Sequence, residues 1–451
     1  MSRESKSVLH RAIGASAIGN AVEWFDYGVY AYLATYIAKS LFPGDGESGI
    51  VYTLLGFAVS FLIRPVGGMI WGPLGDRIGR KRVLAMTIIL MAASTMAVGL
   101  IPSFDAIGIA APILLYALRM IQGLSAGGEY GGAATFMAEY APDRKRGFYG
   151  SFLEVGTLAG FTLGNLSALL LVNVLDSASM DSWGWRIPFL IAGPLGLIGM
   201  YLRSRVEDTP VFREIERNEE TEQISGVYRD LVTKYLRPVL TLFGLVIALN
   251  VVNYSLLSYT PTYLGSTLGM EESDALLVPL VGQIAMLCIL PFLGALSDRI
   301  GRKPMWMFSC AAMMIAVIPA YHLIGSSLTG AIVGFAILGL LYAPQLATIS
   351  ATFPAMFPTI VRFAGVAIGY NVATSLFGGT APVINEALIG ATGDTMIPAY
   401  YMFGACAVGL IASFFLIETK GASLRGTQIP GTPEALEEQR DLGEPEPVSV
   451  K

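Results

Sequence analysis

Twelve apolar runs, each long enough to cross roughly 30 Å of hydrocarbon as a helix, follow one another along the chain. They lie at 12–40, 50–75, 83–102, 108–140, 147–174 and 186–205, then at 238–267, 275–297, 304–324, 328–357, 361–390 and 397–417. A longer polar interval divides them six and six. The pattern predicts an all-α membrane protein of twelve transmembrane helices: an N-terminal half at 1–205, a linker at 206–237, a C-terminal half at 238–417 and a tail at 418–451. The tail is rich in Gly, Pro and Glu and too poor in apolar residues for a core or a heptad seam, so it is expected to be disordered. The first apolar run follows three cations as a signal peptide does, but it carries Glu23 and Asp26 and no clear cleavage site, and is read as a retained helix.

The two halves repeat each other. The stretch GPLGDRIGRK at 72–81 returns as GALSDRIGRK at 294–303, identical at eight of ten positions, each copy directly after an apolar run. Pro142 to Arg146 pairs in the same way with Pro358 to Arg362. Such self-similarity marks two related, pseudo-symmetric halves. With the N-terminus placed inside, all but four of the 29 lysines and arginines fall in the tails and loops expected on the cytoplasmic face, as the positive-inside rule requires. The four exceptions are Arg64 and Arg119 within helices, and Lys39 and Arg186 on the outer side.

Composition narrows the function. With 54% hydrophobic and 14% charged residues and a net charge of −5, the chain offers no clustered basic surface for nucleic acid. Its three cysteines and two histidines have neither disulfide nor metal spacing. No nucleophile set or phosphate-cradling loop is present, so no enzyme and no cofactor is predicted. The expected partners are the bilayer, a small solute and a proton.

Charge inside a membrane helix costs about 3 kcal/mol at its centre, which makes each such residue a functional candidate. On the first helix Asn20, Glu23, Asp26, Tyr27 and Tyr30 share about 120° of arc, with Trp24 at its edge, and are expected to face one cavity. The fourth helix aligns Arg119, Gln122, Glu129 and Tyr130 beside a stack of Gly123, Gly127 and Gly131; the fifth carries Gly156, Gly160, Gly164 and Glu154. A buried arginine needs an acid, and Glu23, Asp26, Glu129 and Glu154 are available, so proton chemistry is placed in the first half. Helices seven to ten offer neutral groups instead: Asn250, Asn253, Tyr254, Gln283 and Gln345. With Asn20, Trp24, Tyr27, Tyr30, Arg64 and Gln122 they form the candidate substrate set.

The duplicated loop resembles the signature of the major facilitator superfamily. NAVEWFDYGVY (20–30), RPVGG (64–68), RMIQGLSAGGEY (119–130), PDRKRG (142–147) and WGWRIPF (183–189) resemble its metabolite:proton symporters. YLRSRVEDTPVF (201–212), FPAMFPTIVRF (353–363) and MIPAYYM (396–402) look most like that family's osmoregulatory proline and glycine betaine carriers. The resemblance implies a fold whose halves rock about a midplane site, with uptake driven by proton entry. It implies a cytoplasmic gate of Gly72, Asp76, Arg77, Gly79 and Arg80 and their repeats Asp298, Arg299, Gly301 and Arg302, flanked by Arg146 and Arg362. Arg119, Gln122 and Gly123 match a motif tied to proton coupling. Within the same family, a proton symporter for a dicarboxylate or shikimate is the alternative, with Arg64 and Arg119 binding carboxylate. Long-tailed relatives end in a coiled coil that this chain lacks, which puts osmotic activation in doubt.

Overall fold

The computed structural model describes residues 3–43, 47–78, 80–127, 129–204, 229–231 and 233–441. Among the described residues, twelve helical rods form one bundle. In the first half these are α1 (3–41, interrupted at Leu33), α2 (47–78, interrupted at Ile63), α3 (Arg80–Gly99), α4 (Ala110–Ala126 and Glu129–Tyr140), α5 (Arg146–Val174) and α6 (Ile187–Ser204). The second half contains α7 (Leu236–Thr267), α8 (Glu272–Ile300), α9 (Arg302–Ile324), α10 (Leu328–Thr352), α11 (Thr359–Thr392) and α12 (Ile397–Phe415). Helices suit this solvent because each satisfies its own backbone where no water is available. Met69, Val174, Phe292 and Ile315, 74–78% exposed, belong to the belt that faces lipid.

Among the described residues, eight spans are individually long and apolar enough to cross a membrane, and all six rods of the second half are among them. In the first half only α2 and α5 qualify. The polar cargo of α1, Glu23 and Asp26 among it, lowers that helix's hydropathy.

Within the first half the helices meet through glycine. A Cβ added at Gly156 or Gly160 would lie 2.2 Å from the Ala17 carbonyl or 2.4 Å from that of Ala21, so α1 and α5 pack backbone to backbone. Gly123 and Gly127 bring α4 equally close to α2, whereas the space at Gly131 would accept a methyl group, the nearest atom being 3.7 Å away. Gly156→Ala should therefore lower the thermal unfolding midpoint of the detergent-solubilised protein by several degrees, and Gly131→Ala should leave it within a degree. Equal midpoints would show that the contact yields without cost.

The tail departs from expectation. Residues 418–441 are ordered, and end in α13 (Pro433–Asp441). Leu424 is buried against Ala138 of the first half and Ala355 of the second. Tail carbonyls also accept bonds that composition cannot reveal: Arg146 Nη1 donates to Ala422 O at 3.0 Å, Arg362 Nη2 to Leu424 O, and Thr359 Oγ1 to both Leu424 O and Gly426 O at 3.0 Å. A segment without a core of its own is held here by cations of the bundle. Residues 442–451, and 205–228 of the expected linker, lie outside the described residues.

Candidate functional site

Three groups of polar or aromatic residues lie along the axis of the bundle. At the basic end, where the arginine-rich turns gather, Asp298 on α8 accepts the Gly147 and Phe148 amides at 2.8 and 2.9 Å, and Arg302 Nη2 at 2.6 Å. The two amides open α5, so a carboxylate from one half caps a helix of the other. Arg146 and Arg362, partners in the sequence repeat, behave alike: each Nε donates to a carbonyl eight residues upstream, Ala138 O or Pro354 O, and each reaches the tail. Arg362 also pairs with Glu139 across the halves at 3.3 Å. Glu418 accepts the Arg302 and Lys303 amides at 3.0 Å, and Gly301 turns between α8 and α9 at φ 107°, a conformation glycine alone adopts at no steric cost. Arg299 is exposed. Of the first copy of this loop, Gly79 and the side chains of Asp76, Arg77 and Arg80 lie outside the described residues, as does the environment of Gly72.

Midway along the axis is a buried cluster of rings from both halves. Trp24 lies 5.6 Å from Tyr27, 5.3 Å from Phe161, 6.3 Å from Tyr130 and 6.2 Å from Tyr254. Phe61 joins Tyr27 to Tyr254 at 5.1 and 5.0 Å, and Tyr130 stacks on Tyr370 at 4.6 Å. Arg64 lies in its wall, 4.0 Å over the Phe61 ring and 4.8 Å over Tyr27. Its Nε and Nη2, with the Tyr27 and Tyr254 hydroxyls, have no hydrogen-bond partner among the described residues. Tyr254 opens a π-helical segment, Tyr254–Tyr259, a local widening that is frequent at functional sites. Glu154 also belongs to this region, since it accepts the Tyr130 hydroxyl.

The third group lies inside the first half. Thr95 of α3 donates to Asp26 Oδ2 at 2.9 Å, Gln122 Nε2 donates to Thr95 Oγ1 at 2.8 Å, and Arg119 Nη1 donates to Gln122 Oε1 at 2.8 Å. Arg119 also reaches Ser60 Oγ at 3.2 Å and covers the Tyr30 ring at 3.9 Å, while Tyr30 donates to Thr53 O. Asp26 Oδ1 has no hydrogen-bond partner among the described residues. Asp26 and Glu23 line a void of about 20 Å³ between α1, α3 and α6, room for one water.

These positions correct several expectations. The polar stripe of α1 does not face one cavity: Trp24 and Tyr27 face the rings, Asp26 and Glu23 face α3 and α6, and Asn20 binds α5 through Leu153 O and Thr157 Oγ1. Arg119 has no ion pair among the described residues, because its donors are taken by neutral groups and its charge rests on a ring. Asn250, Asn253 and Gln345 bond to Thr374, Tyr342 and Ser309 within the second half, and Gln283 holds Tyr32; all four bond to neighbouring helices. The side chain of Glu129 lies outside the described residues. The second half is not free of buried acid either: Glu386 on α11 accepts the Tyr259 hydroxyl at 2.6 Å. Phe57, Phe61, Thr95 and Tyr370 were not singled out from sequence, since a lone aromatic or threonine in an apolar run carries no signal of its own.

Toward the opposite end, Tyr32 donates to Leu257 O, Tyr36 to Glu272, and Lys39 pairs with Asp181 at 3.2 Å. A cleft of about 340 Å³ opens there between α1, α7 and α8.

Comparison with known proteins adds identity to this geometry. Residues 16–383 match the family model described as Major Facilitator Superfamily. A proline/betaine transporter of Escherichia coli K12 is 44% identical over 93% of this chain and 85% of its own length. The glycine betaine/proline/ectoine/pipecolic acid transporter OusA of Dickeya dadantii is 41% identical over 96% and 89%. An ectoine/proline transporter of Corynebacterium glutamicum is 38% identical over 92% and 85%. Among solved structures, the proton:xylose symporter XylE superposes with a TM-score of 0.74 at 18% identity, covering 93% of this chain and 98% of the other.

Proposed function

Because the chain belongs to the major facilitator superfamily, we propose that it imports small zwitterionic compatible solutes, proline and glycine betaine among them, by proton symport across the bacterial inner membrane. The observation that carries this reading is the buried ring cluster shared by the two halves, with Arg64 in its wall. A quaternary ammonium is attracted to ring faces, here those of Trp24, Tyr27 and Tyr254, and a carboxylate suits the free Arg64 donors. Those two features match the two ends of a betaine. The relatives named for proline and betaine support the same class. Asn20, Asn250, Asn253, Gln283 and Gln345 are assigned to helix packing.

Alternating access then needs a gate at each end. The Asp298 cap, the Arg362–Glu139 pair and the seated tail hold the basic end, read as cytoplasmic with both termini there; Tyr36 with Glu272 holds the other. The proton is assigned to Asp26, with Arg119 as the cation held near it. Glu23 shares the void beside Asp26; Glu129 and Glu154 are secondary candidates, and Glu154, among the rings, is closer to the solute.

Competition uptake in proteoliposomes tests the solute class. Unlabelled proline should displace labelled betaine, and succinate or shikimate should not; uptake of succinate that betaine fails to inhibit would overturn the reading. Trp24→Leu should weaken betaine half-saturation by roughly 2- to 30-fold, the value of a lost cation–π face, and Trp24→Phe should recover most of it. Unchanged half-saturation in Trp24→Leu removes Trp24 from the site.

A further inference from the structure

The geometry points to Thr95 as the positioning residue of proton coupling: its hydroxyl keeps Asp26 hydrogen-bonded in both charge states and ties it, through Gln122, to Arg119. This inference rests on the assignment of the proton to Asp26 and names the residue that makes its cycle cheap. The Thr95 hydroxyl is fully buried and lies between two acceptors at nearly equal distance, Asp26 Oδ2 at 2.9 Å and its own helix carbonyl Met91 O at 3.0 Å. One hydroxyl hydrogen serves one of them at a time. From its other side the oxygen accepts Gln122 Nε2 at 2.8 Å, which leaves a lone pair to spare.

Both charge states of Asp26 are therefore accommodated without moving a helix. With the carboxylate ionised, the Thr95 O–H donates to Oδ2, a charge-assisted bond. When a proton binds the carboxylate, the new O–H donates to Thr95 Oγ1, and the threonine hydrogen turns about its C–O bond to Met91 O. One O–H bond forms on the carboxyl, the Thr95 O–H bond is retained, and no other group changes its proton count. In both states Gln122 keeps its bond to Thr95 and Arg119 keeps Gln122, so the cation stays in place while the carboxyl cycles. A buried polar group left without a partner in one of the two states would cost more than a hydrogen bond gains, and the two-acceptor arrangement avoids that loss.

The route of the proton is consistent with the same geometry. Asp26 Oδ1, the oxygen Thr95 does not use, has no hydrogen-bond partner among the described residues, and Asp26 lines the void between α1, α3 and α6 rather than the ring cluster. The charged groups that face Asp26 are Glu23 on its own helix and Arg119 on α4. Around the void α3 and α6 contribute Ile88, Met91, Ala92, Gly196 and Gly199, none of them titratable. The proton chamber of the first half is thus separate from the ring cluster shared by both halves, and the two are joined by Arg119, which lies against Tyr27, Tyr30 and Phe57 on one side and Gln122 on the other.

The test is the pH profile of proton-driven betaine accumulation in proteoliposomes, normalised to reconstituted protein, for wild type, Thr95→Ser, Thr95→Val and Asp26→Asn. Thr95→Val has the shape of threonine and neither donor nor acceptor. It should move the midpoint of the profile toward higher pH by about one unit, because the ionised carboxyl loses its hydroxyl donor. Thr95→Ser should restore the wild-type midpoint. Asp26→Asn should abolish the proton-dependent component. If Asp26→Asn does so while Thr95→Val keeps the wild-type midpoint, the role of Thr95 is wrong and that of Asp26 stands. If Asp26→Asn still accumulates solute with the wild-type profile, the assignment of the proton falls and this inference with it.

Discussion

Asp26→Asn is expected to reduce solute accumulation under an imposed inward proton gradient to equality across the membrane, while exchange of labelled for unlabelled solute continues. A gradient of one pH unit supplies about 1.4 kcal/mol per proton, enough for about tenfold accumulation at one proton per solute. The variant should show a ratio near one. The reason is structural: Asp26 is buried between α1, α3 and α6, its Oδ2 is held by Thr95, and Arg119 is close in the same half without forming an ion pair with it. A buried carboxyl has two ways to cancel its charge, a proton or a cation, and those are the two states a coupling residue alternates between. Exchange moves no net proton, so it separates loss of coupling from loss of the solute site. Tenfold accumulation in both Asp26→Asn and Glu23→Gln would take the proton off α1.

Asp298→Asn is expected to abolish net uptake for a different reason. Asp298 accepts two backbone amides of α5 and the Arg302 guanidinium. An asparagine presents an NH₂ to one of those donors and removes the charge from all three. Hydrogen bonds to charged groups contribute about 1.5–3 kcal/mol each; losing one outright, with the other two weakened, shifts the balance between closed and open basic ends by at least about tenfold. Ser151 lies at this contact, its side chain beside Gly294, so a cysteine at 151 in a background without Cys288, Cys310 and Cys406 reports on opening. Its labelling by a water-soluble maleimide should accelerate at least tenfold in Asp298→Asn. Uptake and labelling at wild-type rates would reduce the α5–α8 cap to a packing contact.

Helix existence and order were legible in the apolar runs. The limits agree with the structure to within three residues for most helices, because a charged turn is the place where a membrane helix has to stop. Two runs differ more: α1 begins at residue 3 rather than 12, and α10 ends at Thr352 rather than 357, where Pro354 opens a short 3₁₀ turn. The candidate site was legible only in part. Trp24, Tyr27, Arg64 and Tyr254 do meet, but Phe57, Phe61 and Tyr370 complete the cluster and carry nothing a single sequence can flag. Asn250, Asn253 and Gln345, as polar as any true ligand, are engaged by neighbouring helices.

What the chain determines by itself is set by its solvent. A bilayer tolerates only helices that satisfy their own backbone and charges that stay near water, so span number, the basic face and the family can all be read one residue at a time. What the tertiary structure decided depends on neighbours. Helix α1 is packed against α3 and α6 on one side, α5 on another and the ring cluster on a third, so residues sharing 120° of its surface end in three different environments. Thr95 and Asp26, 69 residues apart, are joined by a hydroxyl bond that only the assembled bundle brings within reach. The tail is ordered by Arg146 and Arg362, whose remaining donors need carbonyls once the halves close over them, a demand that arises in the assembled bundle and leaves no mark on the composition of the tail itself.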